Sequence, residues 1–206
     1  MLERIMQAAA AEVGTEEQPR KSNSQKYGRE YGMDKVPWCV IFLWWVFVTV
    51  KAALLFYGGK RCASCSQLYQ WAQTVGQTVP AADARRGDIL FFNFDGLKTP
   101  EHCGIMVKKE INGKLSTIEG NTPNADGYND GVFEKLRDPR HVVGVWRPKY
   151  EDARDFDGRW STAAIQEALD DGAMNGYPDG SFQPDRAVTR EELAQFYCNL
   201  KRLWRC

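Results

Sequence analysis

The chain has 206 residues, enough for one domain of ordinary size and a small second module, with 43% hydrophobic, 26% charged and 12% aromatic residues. Lys plus Arg and Asp plus Glu both number 27, so the formal net charge is zero, which excludes a nucleic-acid binder that works by neutralising phosphates. The balance is uneven: from Glu151 onward eleven acidic residues face seven basic ones, leaving residues 1–150 with twenty basic against sixteen acidic, a mildly basic surface suited to an anionic polymer.

Residues 1–15 have no continuous apolar run followed by a small-residue cleavage site. Leu2, Ile5, Met6, Ala9 and Val13 fall instead on one side of an amphipathic helix. A chain without such a signal is expected to be made in the cytoplasm, where its six cysteines are thiols rather than disulfides. Residues 16–33 read as a polar surface loop anchored by Tyr27 and Tyr31. Pro37 then opens an apolar helix that Gly58-Gly59 is expected to end. Its length, 38–57, would just span a bilayer, but Lys51 falls inside it, so a buried core helix and no membrane partner are expected. Residues 64–75 have helical spacing after Ser64 as N-cap.

From residue 80 the period becomes strand-like. Residues 88–92, 102–107, 115–119 and 142–146 read as strands, the second and third joined through the hairpin signal Asn112-Gly113. Helices followed by antiparallel strands indicate an α+β domain over 1–150. Residues 151–157 read as an acidic linker opening a second unit, 151–206. That unit is predicted to hold a helix over 162–172, a turn-rich 175–184 and a helix opened by the capping box Thr189-Arg-Glu-Glu192.

Only two histidines, His102 and His141, are present, so a Cys–His mechanism has few ways to be assembled. A catalytic cysteine needs a lowered pKa, which a helix N-terminus and a nearby imidazole supply. Cys39 alone of the six stands in the first turn of a long helix, where backbone N–H groups favour a thiolate and can donate to an oxyanion. Position alone would also suit an inert buried thiol. His102 begins a strand just after a polar loop, at a sheet rim facing a cleft. Glu119 and Asn121 end the next hairpin strand, and antiparallel pairing could bring either within hydrogen-bond reach of the imidazole. His141 lacks such a neighbour and reads as a loop residue.

Pro37-Trp-Cys-Val-Ile-Phe42, Gly87-Asp-Ile-Leu-Phe-Phe92, His102-Cys-Gly-Ile-Met-Val107 and Thr117-Ile-Glu-Gly-Asn-Thr122, in that order, resemble the CHAP family of cysteine, histidine-dependent amidohydrolases/peptidases. The resemblance covers residues 1–150 and implies a papain-like α+β domain, N-terminal helices packed on an antiparallel sheet. It also implies a peptidoglycan substrate, cut at the muramoyl–L-alanine amide or within the peptide. By motif it makes Cys39 the nucleophile, His102 the base, Glu119 the imidazole orienter and Asn121 a further polar member. Trp38, beside the nucleophile, is the expected substrate-binding ring. Some members of that family bind calcium through an Asp-rich loop before the nucleophile, but Arg29-Glu-Tyr-Gly-Met-Asp34 matches it poorly, so no cofactor and no metal are expected. Cys103, directly after the base, is expected to point to the opposite face of its strand and reads as core.

Cys62-Ala-Ser-Cys65 is a C-x-x-C, but a zinc site needs two more ligands and no second pair exists. These two, with Cys198 and Cys206, are assigned a structural role or none. Further on, Phe156-Asp-Gly-Arg-Trp160, Gly176-Tyr-Pro-Asp-Gly-Ser-Phe182, Pro184-Asp and Thr189-Arg-Glu-Glu192 resemble one S-layer homology (SLH) repeat over 155–203. Such repeats bind secondary cell-wall polymers, which the resemblance implies here. Arg190 is the expected anion reader because its planar fork matches a carboxylate, the alternative being a purely local cap. Asp157, Trp160, Tyr177 and Gly180 are the other expected contacts. The family often uses three repeats together, so a lone repeat implies either weak binding or a homo-oligomer.

The combined expectation is a peptidoglycan hydrolase of bacteriophage-endolysin type, an N-acetylmuramoyl-L-alanine amidase rather than an endopeptidase, acting on the wall after release. The alternatives are a bacterial autolysin and a non-enzymatic cell-wall-binding protein on a dead papain-like domain.

Overall fold

The apolar spacing at the N-terminus folds into α1 (Leu2–Ala11), with Ile5, Met6 and Ala9 buried, in a computed structural model that describes residues 1–150, 154–177 and 181–204. Val13, predicted on the same stripe, lies beyond the helix and is exposed. The stretch read as a surface loop contains α2 (Lys26–Tyr31), which delivers Tyr27 and Tyr31 to the core. The chain divides into two units, Met1–Tyr150 and Glu151–Cys206.

α3 (Cys39–Thr49) is apolar on every side and buried along most of its length, as a helix without a polar face must be. It ends well before Gly58. Lys51 takes a left-handed φ of 62°, and the amides of Lys51 and Ala52 return to the carbonyls of Val48 and Phe47 at 3.0 and 2.8 Å. That is a Schellman close made by lysine where glycine is usual. At about 1.5 Å per residue this helix reaches about 16 Å, half the ~30 Å of a bilayer core. No helix among the described residues is long and apolar enough to cross a membrane. α4 (Cys65–Thr74) starts where Ser64 caps it, the hydroxyl accepting from the Gln67 amide.

Five strands form one antiparallel sheet: β1 (Ile89–Phe92), β2 (His102–Lys109), β3 (Leu115–Pro123), β4 (Asp130–Arg137) and β5 (Val142–Trp146), in the order β4-β3-β2-β1-β5. The sequence predicts four of these. β4 escapes because it is an edge strand, mostly half-exposed, and no clean apolar alternation marks it. Period-two alternation divides the sheet's side chains between its faces. Ile89, Phe91, Cys103, Ile105 and Ile118 pack in the main core with α1 and α3, while Leu90, Phe92, Met106, Leu115 and Val145 form a smaller second cluster. Gly120 allows β3 to approach α3 closely, since a Cβ there would stand 2.6 Å from Phe42 Cβ.

The second unit holds α5 (Thr162–Asp170) and α6 (Arg190–Leu203). The predicted capping box is complete: the Thr189 hydroxyl accepts from the Glu192 amide at 3.2 Å, and the Glu192 carboxylate accepts from the Thr189 amide at 2.8 Å. The turn-rich stretch between the helices is tied down by Asp155, whose buried carboxylate accepts from the amides of Phe182 and Gln183 at 2.8 and 2.7 Å.

Candidate functional site

Cys39 is the first residue of α3, so its sulfur lies at the positive end of an eleven-residue helix. His102 is the first residue of β2, and its Nε2 lies 2.8 Å from Oε2 of the fully buried Glu119. Gly104 makes this contact possible, because a Cβ at that position would stand 2.5 Å from Glu119 Cγ. The carboxylate is held from the other side by Arg137 of β4, whose Nε donates to Oε1 at 2.8 Å and whose Nη2 donates to Oε2. Thr117 Oγ1 adds a donor at 2.6 Å. A buried carboxylate surrounded in this way stays ionised and fixes the ring it contacts.

The electrostatics follow from these contacts. Burial pushes the Glu119 carboxyl up, but the hydrogen bonds from Arg137 and His102 outweigh it and hold the pKa at about 2. Burial pulls the His102 imidazole down, but hydrogen bonds and charge from Cys39 and Glu119 outweigh it, and its pKa is pushed up to about 9. The thiols of Cys103 and Cys65, and then His102, hold the Cys39 thiol well below its ordinary value. Cys103 moves the other way, through its own burial and then its contact with Cys39. Both shifts run toward a thiolate beside an imidazolium, the charge state that a cysteine nucleophile uses.

The outer side of the imidazole faces an aromatic rim. Phe94 is partly exposed, with its ring centroid 6.3 Å from that of His102 and the Arg137 guanidinium 4.9 Å from its own. Asn93 shapes the loop that carries it, accepting from the Asp95 and Leu97 amides at 3.1 and 2.7 Å.

The structure brings Cys39, His102 and Glu119 together and leaves two predicted partners out. Asn121 sits on a bulge of β3 with a φ of 54°, half-buried, and among the described residues it makes no hydrogen bond to the imidazole. Trp38 is a correction. It is fully buried, stacked on Tyr27 at 5.3 Å, with Nε1 donating to Glu17 at 2.8 Å, so its ring belongs to the core and cannot meet a polymer. Arg137 was missed because it comes from the unforeseen strand. Cys103 is buried as predicted, but its sulfur lies beside Cys39 with that of Cys65, all three within 4.8 Å of one another. In the stretch before Cys39, the Asp34 carboxylate accepts from Ser24 Oγ at 2.8 Å and the Gln25 amide at 3.3 Å, and Glu30 accepts from Trp45 Nε1 at 2.7 Å.

In the second unit a cavity of about 560 Å³ is lined by Tyr177, Phe182, Arg186, Glu192 and Phe196, among others. The Tyr177 hydroxyl donates to Glu192 at 2.8 Å, and Arg186 donates to both. Among the described residues predicted to bind a wall polymer, Tyr177 alone lines this cavity. Arg190 opens α6 with its side chain exposed, away from the lining, and the cavity's arginine is Arg186. Trp160 is exposed elsewhere on the unit, and Asp157 accepts from the amide and Nε of Arg154 at 2.8 and 2.9 Å. Gly180 and Cys206 lie outside the described residues, as does the start of the predicted linker, 151–153.

Comparison with known proteins bears on this second unit. Residues 149–194 match the family described as S-layer homology domain. A CHAP domain is not detected. The chain is 47% identical over 64 residues to cell surface glycoprotein 1 of Acetivibrio thermocellus, an alignment covering 31% of this chain and 3% of that protein. It is 42% identical over 38 residues to the cellulosome-anchoring protein of the same organism, covering 18% of this chain and 8% of the relative. The chain thus spans less than a tenth of the length of either relative. It carries an S-layer homology domain at residues 149–194.

Proposed function

We propose that the chain acts at a bacterial cell wall, its S-layer homology domain holding a secondary wall polymer while the N-terminal unit cuts an amide of peptidoglycan through Cys39. The catalytic half rests on one observation: a thiol at a helix N-terminus beside an imidazole that a buried, arginine-held carboxylate orients. The order of the four N-terminal motifs, which resembles the CHAP family and its papain-like domain, supports it further. The anchoring half is supported by the matched domain and by relatives named for the cell surface and for cellulosome anchoring.

In this reading the Cys39 thiolate attacks the amide carbonyl carbon and forms a C–S bond. The developing oxyanion is held partly by the Cys39 backbone N–H at the start of α3. Collapse breaks the C–N bond, and His102 gives its proton to the leaving amine. A water then loses a proton to the neutral imidazole, attacks the thioester and restores the thiolate pair. The bond favoured is that of an N-acetylmuramoyl-L-alanine amidase over a peptide link in the stem. A cytoplasmically made endolysin released to the wall is the favoured setting, with an exported autolysin as the alternative. Cys39→Ala and His102→Ala should each fold and lose at least about 1,000-fold in the clearing of a purified wall suspension. Peptides released with a free L-Ala amine, seen by mass spectrometry, identify the amidase. Retained clearing by Cys39→Ala would sink the catalytic half.

A second reading, a wall-binding protein without catalysis, is the one the comparisons favour, because the family match falls on the S-layer homology segment. It predicts that Cys39 is alkylated by iodoacetamide no faster than the other thiols and that the wild-type chain binds walls without clearing them. Exposed Leu193, Tyr197 and Trp204 on and just after α6 favour self-association through this domain. A monomer molar mass by light scattering, alongside tight wall binding, would exclude that.

A further inference from the structure

Acyl transfer by Cys39 needs one sulfur, yet three meet at its position. The Sγ atoms of Cys39, Cys65 and Cys103 all lie within 4.8 Å of one another, and those of Cys39 and Cys65 are 3.7 Å apart. They arrive from three elements: the first residue of α3, the first residue of α4 and the second of β2. All three are unbridged and buried. The C-x-x-C pairing visible in the sequence is not the one that forms, because Cys62 turns its sulfur to the Ser64 carbonyl oxygen at 3.4 Å and stands outside the group.

We propose that Cys39, Cys65 and Cys103 form a site for a soft divalent cation of the zinc class, which takes the proposed nucleophile as one of its ligands. A tetrahedral zinc thiolate with Zn–S bonds of about 2.3 Å places its sulfurs about 3.8 Å apart. The Cys39–Cys65 edge already has that length, and the cluster's widest allowed edge needs to close by only about 1 Å. Two helix N-termini, those of α3 and α4, carry two of the three sulfurs, and their dipoles favour the thiolates that metal binding requires. Each thiol that still holds a proton releases it when the S–metal bond forms. Three thiolates and one dication leave a site of net charge −1, with one coordination position open. His102 does not supply it as the site stands, because its ring touches Cys39 but places no nitrogen within 4.8 Å of all three sulfurs. The open position takes water or an added chelator, so the ion is removable.

A thiolate that donates to a dication is a much weaker nucleophile toward a carbonyl, so the loaded chain should clear walls far more slowly than the stripped chain. That consequence rests on the hydrolase reading, whereas the binding itself does not.

The test uses the full chain, reduced and stripped with a chelator, titrated with Cd²⁺ and then Zn²⁺. The expected result is one ion per chain with a thiolate-to-cadmium charge-transfer band in the ultraviolet. Cys65→Ser and Cys103→Ser should each weaken binding at least about 100-fold, while Cys62→Ser and Cys198→Ser leave it unchanged. In the wild-type chain, where folding of a variant is not in question, Zn²⁺ should protect Cys39, Cys65 and Cys103 alone from alkylation, as read by peptide mapping. Absence of the band, or binding that survives the Cys65→Ser Cys103→Ser double variant, overturns the site. Binding through these ligands by a stripped chain that never clears walls would retain the site and remove the hydrolase. Clearing by a stripped chain that Zn²⁺ neither binds nor inhibits would do the reverse.

Discussion

The arginine–carboxylate pairs that matter in the two units sit in different surroundings. In the first, Glu119 and Asp88 are buried, and each is held by an arginine, Arg137 and Arg147, with His102 completing the Glu119 set. In the second, Arg186 pairs with Glu192 and Arg159 with Asp185 at or near the surface, screened by water. A buried, fully paired carboxylate is rigid and expensive to disturb, which suits a group that must orient an imidazole. A surface pair is cheaper to exchange, and in the proposed wall-polymer reading Arg186 would trade Glu192 for an anion at little cost to the fold.

That contrast is open to direct challenge, beginning where the largest effect is expected. Arg137→Leu strips the buried Glu119 of its arginine and should cost about 3–5 kcal/mol, measured as a shift of the urea midpoint. An unmoved midpoint would mean that the carboxylate is not held as described. Gly104→Ala places a Cβ against Glu119 Cγ, now 2.5 Å from that point, and pushes the carboxylate off the imidazole. Clearing of wall suspensions should fall by about 100-fold while circular dichroism stays unchanged.

Acid and base act on the same groups with opposite sign. The His102 pKa is raised from 6.5 to about 9, so its contribution to stability is complete below 6.5 and lost as pH rises through about 9. The Glu119 pKa is lowered from 4.5 to about 2, so its contribution is present above 4.5 and lost as pH falls toward about 2. In the metal-stripped chain the wall-clearing rate should therefore fall above pH about 9, as the imidazolium that protonates the leaving amine disappears. A limb near 6.5 instead would show that His102 feels neither partner. In the second unit Arg186→Gln should leave the unfolding midpoint where it is and weaken retention on purified secondary wall polymer, whereas Arg190→Gln should weaken it less. The reverse order would return the anion contact to Arg190.

Cys39, His102 and Glu119 were legible because each depends on something local: the start of an apolar helix, the start of a strand after a polar loop, the end of a hairpin strand. The capping box at Thr189 was legible for the same reason. Trp38 was misread because an aromatic residue beside a nucleophile looks alike in sequence whether it faces a groove or a core, and only the Tyr27 stack and the Glu17 acceptor decide between them. Lys51 ended α3 because its backbone entered the left-handed region, a choice the later glycine pair concealed.

What the sequence by itself determined is the passage from helices to antiparallel strands in the first unit, short of α2 and β4, the helix-borne thiol, the rim imidazole and its carboxylate, and the repeat that matches an S-layer homology domain. The tertiary structure alone decided that Arg137 clamps Glu119 from an edge strand, that Cys65 and Cys103 rather than Cys62 join Cys39, and that Arg186 rather than Arg190 lines the cavity. These are contacts set by strand register and by how helices pack on a sheet, and a local period records neither which edge a strand takes nor which sulfurs it brings together.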